Sequence, residues 1–237
     1  MLVLLGVAVL VTVYRLLVRL TEKRAAAELS AARAVPLFTC GTIVGVALFC
    51  GVIAVSIAYH VASVGGVVGY NAVINMGAMA LLAGVGEEIA FRGGVYRLLE
   101  EGFGTTIAII LSGALFGLLH WANPGATAMS ALAIALTAGV LLAAAYVLTR
   151  SLWLPIGIHF GWNFTEGGIF GAAVSGGKSH GLFTTVFAGP DWLTGGKFGP
   201  EASLTAVIIC VTVAAALLAV AIRRGEWKPL RFRLATA

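Results

Sequence analysis

The sequence predicts an all-α fold, a polytopic bundle of about seven transmembrane helices, and three observations lead to this prediction. Hydrophobic residues make up 60% of the 237-residue chain and charged residues only 11%, against roughly a quarter charged in soluble domains. The mean hydropathy is +1.02. The apolar residues fall in long runs of the length that crosses a bilayer, roughly 20 residues each. We therefore expect one integral membrane domain over residues 1–237, surrounded by lipid.

Seven apolar segments make up the predicted bundle, and the first of them is the shortest. Only about 14 uncharged residues precede Arg15, so this segment spans the bilayer only if Arg15 and Arg19 reach back to the interface. No basic stretch precedes it and no small-residue cleavage site follows it, so we expect a retained anchor. The segments lie at residues 1–20, 36–60, 68–99, 103–122, 126–149, 152–171 and 202–222.

Basic residues in the short connections predict the orientation, because Lys and Arg mark the cytoplasmic side. The loops near 61–67 and 121–126 carry none. We therefore expect a plasma-membrane protein with its N-terminus outside and its C-terminus in the cytoplasm. The short basic tail, 223–237, is predicted to lie on anionic headgroups. The basic residues that predict the cytoplasmic side are Lys23, Arg24, Arg33, Arg97, Arg150, Arg223, Arg224, Lys228, Arg231 and Arg233.

The net charge of +5 does not predict a nucleic-acid partner, because the basic residues lie at the ends of spans and not along one face. The glycine-rich segment 172–200 is predicted to be an outer loop, of which residues 182–188 could dip into the interface. Glu100 and Glu101, at the end of the third segment, are predicted to be a solvated helix end.

Few polar residues lie at membrane depth. Intramembrane groups of this kind usually face the bundle interior and serve a function. Glycines beside them, among them Gly157 and Gly161, let helix backbones approach closely. The polar groups are Glu87, Glu88 and Arg92 on the third segment, His120 on the fourth, and His159 and Asn163 on the sixth.

Helical geometry separates the two adjacent glutamates. Arg92 follows Glu88 by four positions and lies nearly on its face, whereas Glu87 points about 100° away. We expect Glu88 and Arg92 to form a buried ion pair and Glu87 to stay free for chemistry.

A spacing of four residues on one helix face also places Phe116 beside His120 and Asn163 beside His159. Counting 1.5 Å per residue from the turn after the third segment puts Glu87 and His120 at similar depth. His159 comes out about 10 Å lower by this count. Helix tilt, or a sixth helix that starts away from the interface, would have to absorb this difference.

These residue types suit the attack of water on a carbonyl group. A glutamate in apolar surroundings can act as general base toward water. Histidines can bind a metal that activates the water, or donate to a developing oxyanion, and an amide can orient the substrate. The residues alone leave the metal-bound and the metal-free schemes open. No H-E-x-x-H sequence is present, which excludes the commonest arrangement of soluble zinc proteases.

Three ordered motifs resemble those of the CAAX prenyl protease type II and bacteriocin-processing family of intramembrane proteases, also called the CPBP or ABI family. The sequence EEIAFR at 87–92 looks like the family's E-E-x-x-x-R. FGLLH at 116–120 is similar to its F-x-x-x-H, and HFGWN at 159–163 is similar to its H-x-x-x-N. Each motif alone recurs by chance, but all three in order cover a catalytic core at about 75–170.

The resemblance implies a helical intramembrane endopeptidase, usually a metalloprotease. Glu87 would activate the water, His120 and His159 would bind metal or stabilise the oxyanion, and Asn163 would assist. A divalent metal such as zinc would bind His120, His159 and Glu87, although a metal-free mechanism stays open. The residues that would support the site are Glu88, Arg92 and Phe116.

The expected substrate is a membrane-associated peptide or protein, and neither its identity nor the oligomeric state is predicted. Prenyl specificity is not carried over from the family name. One alternative is a non-catalytic immunity or scaffold protein that binds a peptide in the same pocket. A less favoured alternative is a proton-coupled transporter, which would show a pseudo-repeat that this sequence lacks.

Overall fold

The computed structural model describes residues 2–67 and 69–230, and each predicted apolar segment is helical in it. The helices are α1 Leu2–Thr21, α2 Ala34–Ala58, α3 Tyr70–Glu88, α4 Arg97–Phe103, α5 Thr105–His120, α6 Ala128–Ile134, α7 Leu141–Thr149, α8 Trp153–Asn163, α9 Asp191–Thr194 and α10 Leu204–Arg223. Three π-helical segments continue these helices. Ile89–Tyr96 joins α3 to α4, Ala135–Val140 joins α6 to α7, and Phe164–Ile169 extends α8. Short 3₁₀ turns cover Ala27–Leu29, Ala31–Arg33 and Pro200–Ala202.

The all-α membrane fold is confirmed, and the described residues contain five helices long and apolar enough to span a bilayer. These five cover Leu2–Thr21, Ala31–Ala58, Ala72–Phe103, Ala128–Thr149 and Leu204–Arg223. Helix α5, with 16 residues, is apolar but shorter. Helix α8 begins inside the protein, where Leu152 is buried and its backbone N–H donates to the Glu28 carbonyl. The chain is a multi-pass membrane protein in which these two shorter helices lie between longer ones.

Helix α8 lies at the centre of the bundle and packs closely on α2. Gly41 and Gly45 of α2 face the backbone of α8, where an added Cβ would come within 2.4 Å of the Leu154 oxygen and 2.2 Å of the Ile158 oxygen. Backbone contact of this kind depends on small residues, as expected for helices packed in lipid. The close packing buries α8 on nearly every side and holds His159 and Asn163 at a fixed depth.

A two-stranded antiparallel sheet lies over the end of α8 and its π-helical extension, which together we call the α8 stretch (153–169). Strand β1, Ala62–Val67, pairs with β2, Phe183–Phe187. The Thr185 hydroxyl donates to the Phe170 carbonyl at 2.7 Å, which fixes the sheet to the bundle. The prediction of loops at 61–67 and 182–188 was wrong, because each short strand is stabilised by a partner that lies far away in the sequence.

At the end of the bundle opposite to the sheet, the buried carboxylates of Glu28 and Glu100 form ion pairs with arginines. We call this group of acidic and basic residues the basic-end network (Glu28, Glu100, Arg24, Arg97, Arg150). Glu100 is 1% exposed. Its oxygens accept from Tyr96 and Thr105 at 2.7 Å and contact Arg150 at 2.5 Å. The prediction of a solvated Glu100 was therefore wrong. Its partners come from separate segments that helical periodicity cannot connect.

The start of the C-terminal tail packs against this network. The Lys228 backbone N–H donates to the Thr105 hydroxyl at 2.9 Å, and the Thr105 N–H donates to the Lys228 carbonyl at 3.1 Å. Arg150 pairs with Glu226 at 3.1 Å. These residues contact the bundle and not, as predicted, only lipid headgroups. The remainder of the predicted tail, 231–237, lies outside the described residues.

Candidate active site

The three motif helices bring Glu87, His120 and His159 together. The Nε2 atom of His120 lies 3.9 Å from Glu87 Oε2, and Nε2 of His159 lies 4.0 Å from the same oxygen. The prediction that His159 sits about 10 Å lower was wrong. The sixth helix starts next to the buried Leu152, whose N–H donates to the Glu28 carbonyl in the 3₁₀ turns at 27–33, and this start brings His159 to the level of the other two.

Both histidine rings are held at Nδ1, which leaves Nε2 facing Glu87. His120 Nδ1 lies 2.8 Å from the Phe116 carbonyl oxygen, and His159 Nδ1 lies 2.9 Å from Glu88 Oε1. A carbonyl or carboxylate oxygen only accepts, so these partners assign the proton to Nδ1. A neutral ring then presents a lone pair on Nε2, as in histidines oriented for metal binding or proton transfer.

Glu88 has a second partner that the sequence predicted. Its Oε1 accepts from Arg92 Nη1 at 3.0 Å, and both side chains are buried. Glu88 therefore links two motifs, because the carboxylate that pairs with Arg92 also orients His159. This link between the first and third motifs was not visible in the sequence.

Arg92 joins the first motif to the neighbouring helices. Its Nη2 donates to the Ala138 and Gly139 carbonyls at 2.8 and 3.1 Å. Its guanidinium carbon lies 4.8 Å from the centre of the Phe116 ring, a cation–π contact. Phe116 in turn lies beside the His120 ring, with 4.5 Å between ring centroids. These contacts agree with a supporting position for Glu88, Arg92 and Phe116.

Glu87 differs from Glu88 in having an unpartnered oxygen. Its Oε2 is buried and has no hydrogen-bond partner, although the side chain as a whole is 37% exposed. Within the described part of the chain, no Lys or Arg pairs with it. Buried polar atoms are normally hydrogen-bonded, so an exception needs an explanation. A carboxylate oxygen that faces two histidine nitrogens is suited to bind water and take its proton.

A cavity of about 40 Å³ lies beside these groups and has room for water. His120, His159 and Asn163 line it, so the three predicted catalytic side chains other than Glu87 reach one space. Asn163 is almost fully buried. Its amide is therefore available to a group inside the cavity and not to bulk solvent.

Sequence reasoning missed two buried glutamates at this site. Glu201, which precedes α10, lines the cavity, and Glu166 lies in the π-helical extension of α8. Burial raises the pKa of Glu201 to about 7, although a hydrogen bond from the Ser175 backbone N–H acts in the opposite direction. Glu166 could have been found, since it is an unpaired acid inside the sixth apolar segment. Glu201 lies outside every apolar run and gave no such signal.

The donor types at the site are those of a His₂–carboxylate zinc site, but their spacing is not. Ligands at 2.0–2.1 Å around a tetrahedral zinc lie about 3.4 Å apart, whereas the two histidine nitrogens lie 3.9 and 4.0 Å from Glu87 Oε2. Among residues 2–67 and 69–230, no three His, Cys, Asp or Glu side chains are spaced to hold a metal ion. The spacing of these atoms is therefore wider than a tetrahedral zinc ion requires, and the predicted divalent metal stays a prediction.

Comparison with known proteins supports the resemblance seen in the motifs. Residues 69–165 match the model of a family described as type II CAAX prenyl endopeptidase Rce1-like. No curated protein and no solved structure matches the chain. The matched residues contain all three motifs, from Glu87 to Asn163. Through this segment, the chain is similar to the type II CAAX prenyl endopeptidase Rce1-like family.

Proposed function

We propose that the chain is an intramembrane endopeptidase that hydrolyses a peptide bond of a membrane-associated peptide or protein, with Glu87 as the general base. One observation carries the proposal: the Nε2 atoms of His120 and His159 converge on one unpartnered oxygen of Glu87, at 3.9 and 4.0 Å. The cavity beside them has room for water. The family description supports the peptidase class, whereas the substrate and the mechanism are our proposal.

In this mechanism, a water molecule binds between Glu87 and a histidine. A water that forms hydrogen bonds of about 2.8 Å fits between atoms that lie 3.9 or 4.0 Å apart. Glu87 Oε2 takes one proton of the water while the oxygen attacks the carbonyl carbon of the substrate.

The attack of water leaves a negative charge on the carbonyl oxygen of the substrate, and this oxyanion requires hydrogen-bond donors. The side-chain amide of Asn163 can donate to it from the cavity wall. A histidine helps only if its Nε2 carries a proton, since Nδ1 already donates to Phe116 or Glu88. The metal-free and the metal-dependent schemes thus differ in whether Nε2 holds a proton or a lone pair. For the C–N bond to break, the leaving nitrogen must also receive a proton.

The first experiment tests cleavage directly. Purified protein in nanodiscs is incubated with a diverse peptide library, and products are identified by mass spectrometry. We expect cleavage by the wild type, loss of cleavage in Glu87→Gln and His120→Ala, and no loss in Glu101→Gln, whose side chain is exposed at the far end of α4. Equal cleavage by the wild type and Glu87→Gln would overturn the proposed base.

The same samples separate the two schemes of water activation. Metal content is measured in the wild type and in His120→Ala, and cleavage is repeated with a chelator. Stoichiometric metal that His120→Ala loses, together with chelator sensitivity, would require a metal-dependent scheme. Chelator-resistant cleavage would support the metal-free one. Peptide binding without any cleavage would favour an immunity or scaffold function.

Prenylated and unprenylated versions of each cleaved peptide test the substrate class, because the family name alone does not assign a prenyl group to this chain's substrate.

The location in the plasma membrane and the predicted orientation, with the C-terminus in the cytoplasm, also stay predictions. Accessibility of tags at the two ends to protease in intact cells tests the orientation.

A further inference from the structure

Glu166 and Glu201 are two buried acids that the water-activation step does not use. Glu166 is 0% exposed and Glu201 is 6% exposed. Glu166 Oε2 accepts from the Trp162 indole N–H at 3.0 Å, and Glu201 Oε1 accepts from the Ser175 backbone N–H at 2.5 Å. Across the described ranges, neither forms an ion pair with Lys or Arg. Their charge is therefore not compensated in the way that Arg92 compensates Glu88.

The carboxyl groups of the two acids lie close enough to interact with each other. Glu166 Oε1 is fully buried and has no partner when both groups are ionised. Two uncompensated buried carboxylates are costly, and the cost disappears when protons occupy the pair. Glu166 has no access to solvent or cavity, so we expect it to remain a neutral acid whose O–H donates to Glu201.

Glu201 differs from Glu166 in reaching the site. It lines the cavity that His120, His159 and Asn163 also line. The titratable groups that face it are Glu166 and His159 from the α8 stretch, Glu87 from α3 and the Cys210 thiol from α10. A carboxylate formed on Glu201 would be stabilised by the Ser175 N–H and the Glu166 O–H. Glu201 is thus the acid that can release a proton into the cavity and take one back.

We infer that Glu201 is the general acid that protonates the leaving nitrogen of the cleaved peptide bond, and that Glu166 is its positioning residue. This inference rests on the proposed function. Water gives one proton to Glu87, and its oxygen forms the new bond to carbon. The C–N bond then breaks as the nitrogen takes the proton of Glu201. Glu87 returns its proton to Glu201 through cavity water, so the cycle consumes only water and substrate.

The neutral form of Glu201 is available at physiological pH, because burial raises its pKa to about 7. An acid with a pKa near the working pH is the most effective proton donor. Cleavage of amides should therefore fall as the pH rises through about 7, and Glu201→Gln should remove this decline.

The decisive experiment varies the leaving group. A peptide that the wild type cleaves is made with its scissile amide or with a thioester at the same position, since a thiolate leaves without protonation. For Glu201→Gln we expect amide turnover to fall by about 10²- to 10⁴-fold and thioester turnover to change little. Glu201→Asp should recover part of the amide activity, and Glu101→Gln should behave as the wild type. An equal loss on both substrates would overturn the inference and assign Glu201 a structural role.

Infrared spectroscopy tests the acid without any turnover. We expect the C=O band of a protonated carboxyl at neutral pH, reduced in Glu201→Gln and unchanged in Glu101→Gln. If Glu201→Gln leaves the band unchanged, the inference fails, even for a protein that cleaves peptides. If the band behaves as expected but no peptide is cleaved, the proposed function fails and with it the donor role of Glu201. The two failures are therefore distinguishable.

Discussion

Buried glutamates occur at both ends of this bundle, and their surroundings differ. In the basic-end network, Glu100 contacts Tyr96, Thr105, Arg150 and Lys228. At the candidate site, Glu87 and Glu166 each keep an oxygen that is buried and unpartnered. Burial alone therefore does not distinguish a structural glutamate from a functional one. The distinction lies in whether each oxygen has a partner.

Glu88 lies between these two cases. It has an arginine partner, as the glutamates of the basic-end network do, yet it also holds His159. One of its oxygens, Oε2, is buried without a partner. A carboxylate can thus serve the fold through one contact and the site through another, and substitutions should separate the two contributions.

The largest effect is expected for Glu87→Gln. The amide cannot take a proton from water, so peptide cleavage should fall by about 10²- to 10⁴-fold. Thermal unfolding should be unchanged, or shifted upward, because Glu87 pairs with no Lys or Arg among the described residues. Cleavage rates and unfolding midpoints, measured on the same preparation, test this. A strongly destabilised Glu87→Gln would place Glu87 among the structural glutamates.

The next effect is expected for Arg92→Ala. Removing one partner of a buried ion pair costs about 3–5 kcal/mol, and here it also releases Glu88 from its position beside His159. Denaturant unfolding in detergent measures the stability, with Arg223→Ala as an exposed control. The double variant Glu88→Gln, Arg92→Met should recover stability but not cleavage. Recovery of both would contradict the role of Glu88 in orienting His159.

A smaller effect, on stability alone, is expected for Glu100→Gln. The amide keeps an acceptor oxygen but loses the charge that pairs with Arg150, which should cost about 1–3 kcal/mol. Turnover per folded molecule should not change, because the basic-end network lies at the opposite end of the bundle. A reduced turnover in correctly folded protein would show that the two ends are coupled.

The stability contributed by the basic-end network and by the candidate site should change with pH in opposite directions. Burial acts to raise the pKa of Glu28, but hydrogen bonds from Arg24 and Tyr14 lower it below its usual 4.5, so the stability it contributes is present above pH 4.5 and lost as the pH falls through the lowered value. Glu201, with its pKa raised to about 7, contributes stability below pH 4.5 that is lost as the pH rises through about 7. Thermal unfolding against pH tests both.

Substituting each glutamate in turn shows which one causes each part of this dependence of stability on pH. Glu28→Gln should flatten the loss of stability on the acid side, and Glu201→Gln should flatten the decline between pH 4.5 and about 7. If Glu201→Gln leaves the neutral decline unchanged, Glu201 is not the group that titrates there.

The smallest effect is expected for Lys228→Ala. Lys228 contacts Glu100 at 3.0 Å, but its side chain is 42% exposed, and ion pairs of exposed side chains contribute roughly 0–1 kcal/mol. Unfolding should shift only slightly, and less at high salt. A shift as large as that of Glu100→Gln would show that the tail is a main support of this network.

The helices and the polar side chains that converge on Glu87 could be predicted because both depend on local signals. Apolar runs gave the seven helical stretches, and polar side chains inside them gave Glu87, His120 and His159. The depth of His159 could not be predicted, since it depends on where the turns at 27–33 place the start of α8. The partners of Glu100 and the pairing of β1 with β2 join residues far apart in the sequence, beyond the reach of periodicity.

The three π-helical segments bear on how this site tolerates insertions and deletions. Each adjoins a part of the site: one follows Glu88, one supplies the Ala138 carbonyl to Arg92, and one carries Glu166. A π-helical turn contains about one residue more than an α-helical turn, so deleting one residue there would restore an α-helical turn and leave the residues beyond it in nearly the same orientation. Deleting one residue from an α-helical turn would instead rotate everything beyond it by about 100°. Loss of one residue within these three π-helical segments should therefore rotate the site less than the same loss from the α-helical turns beside them.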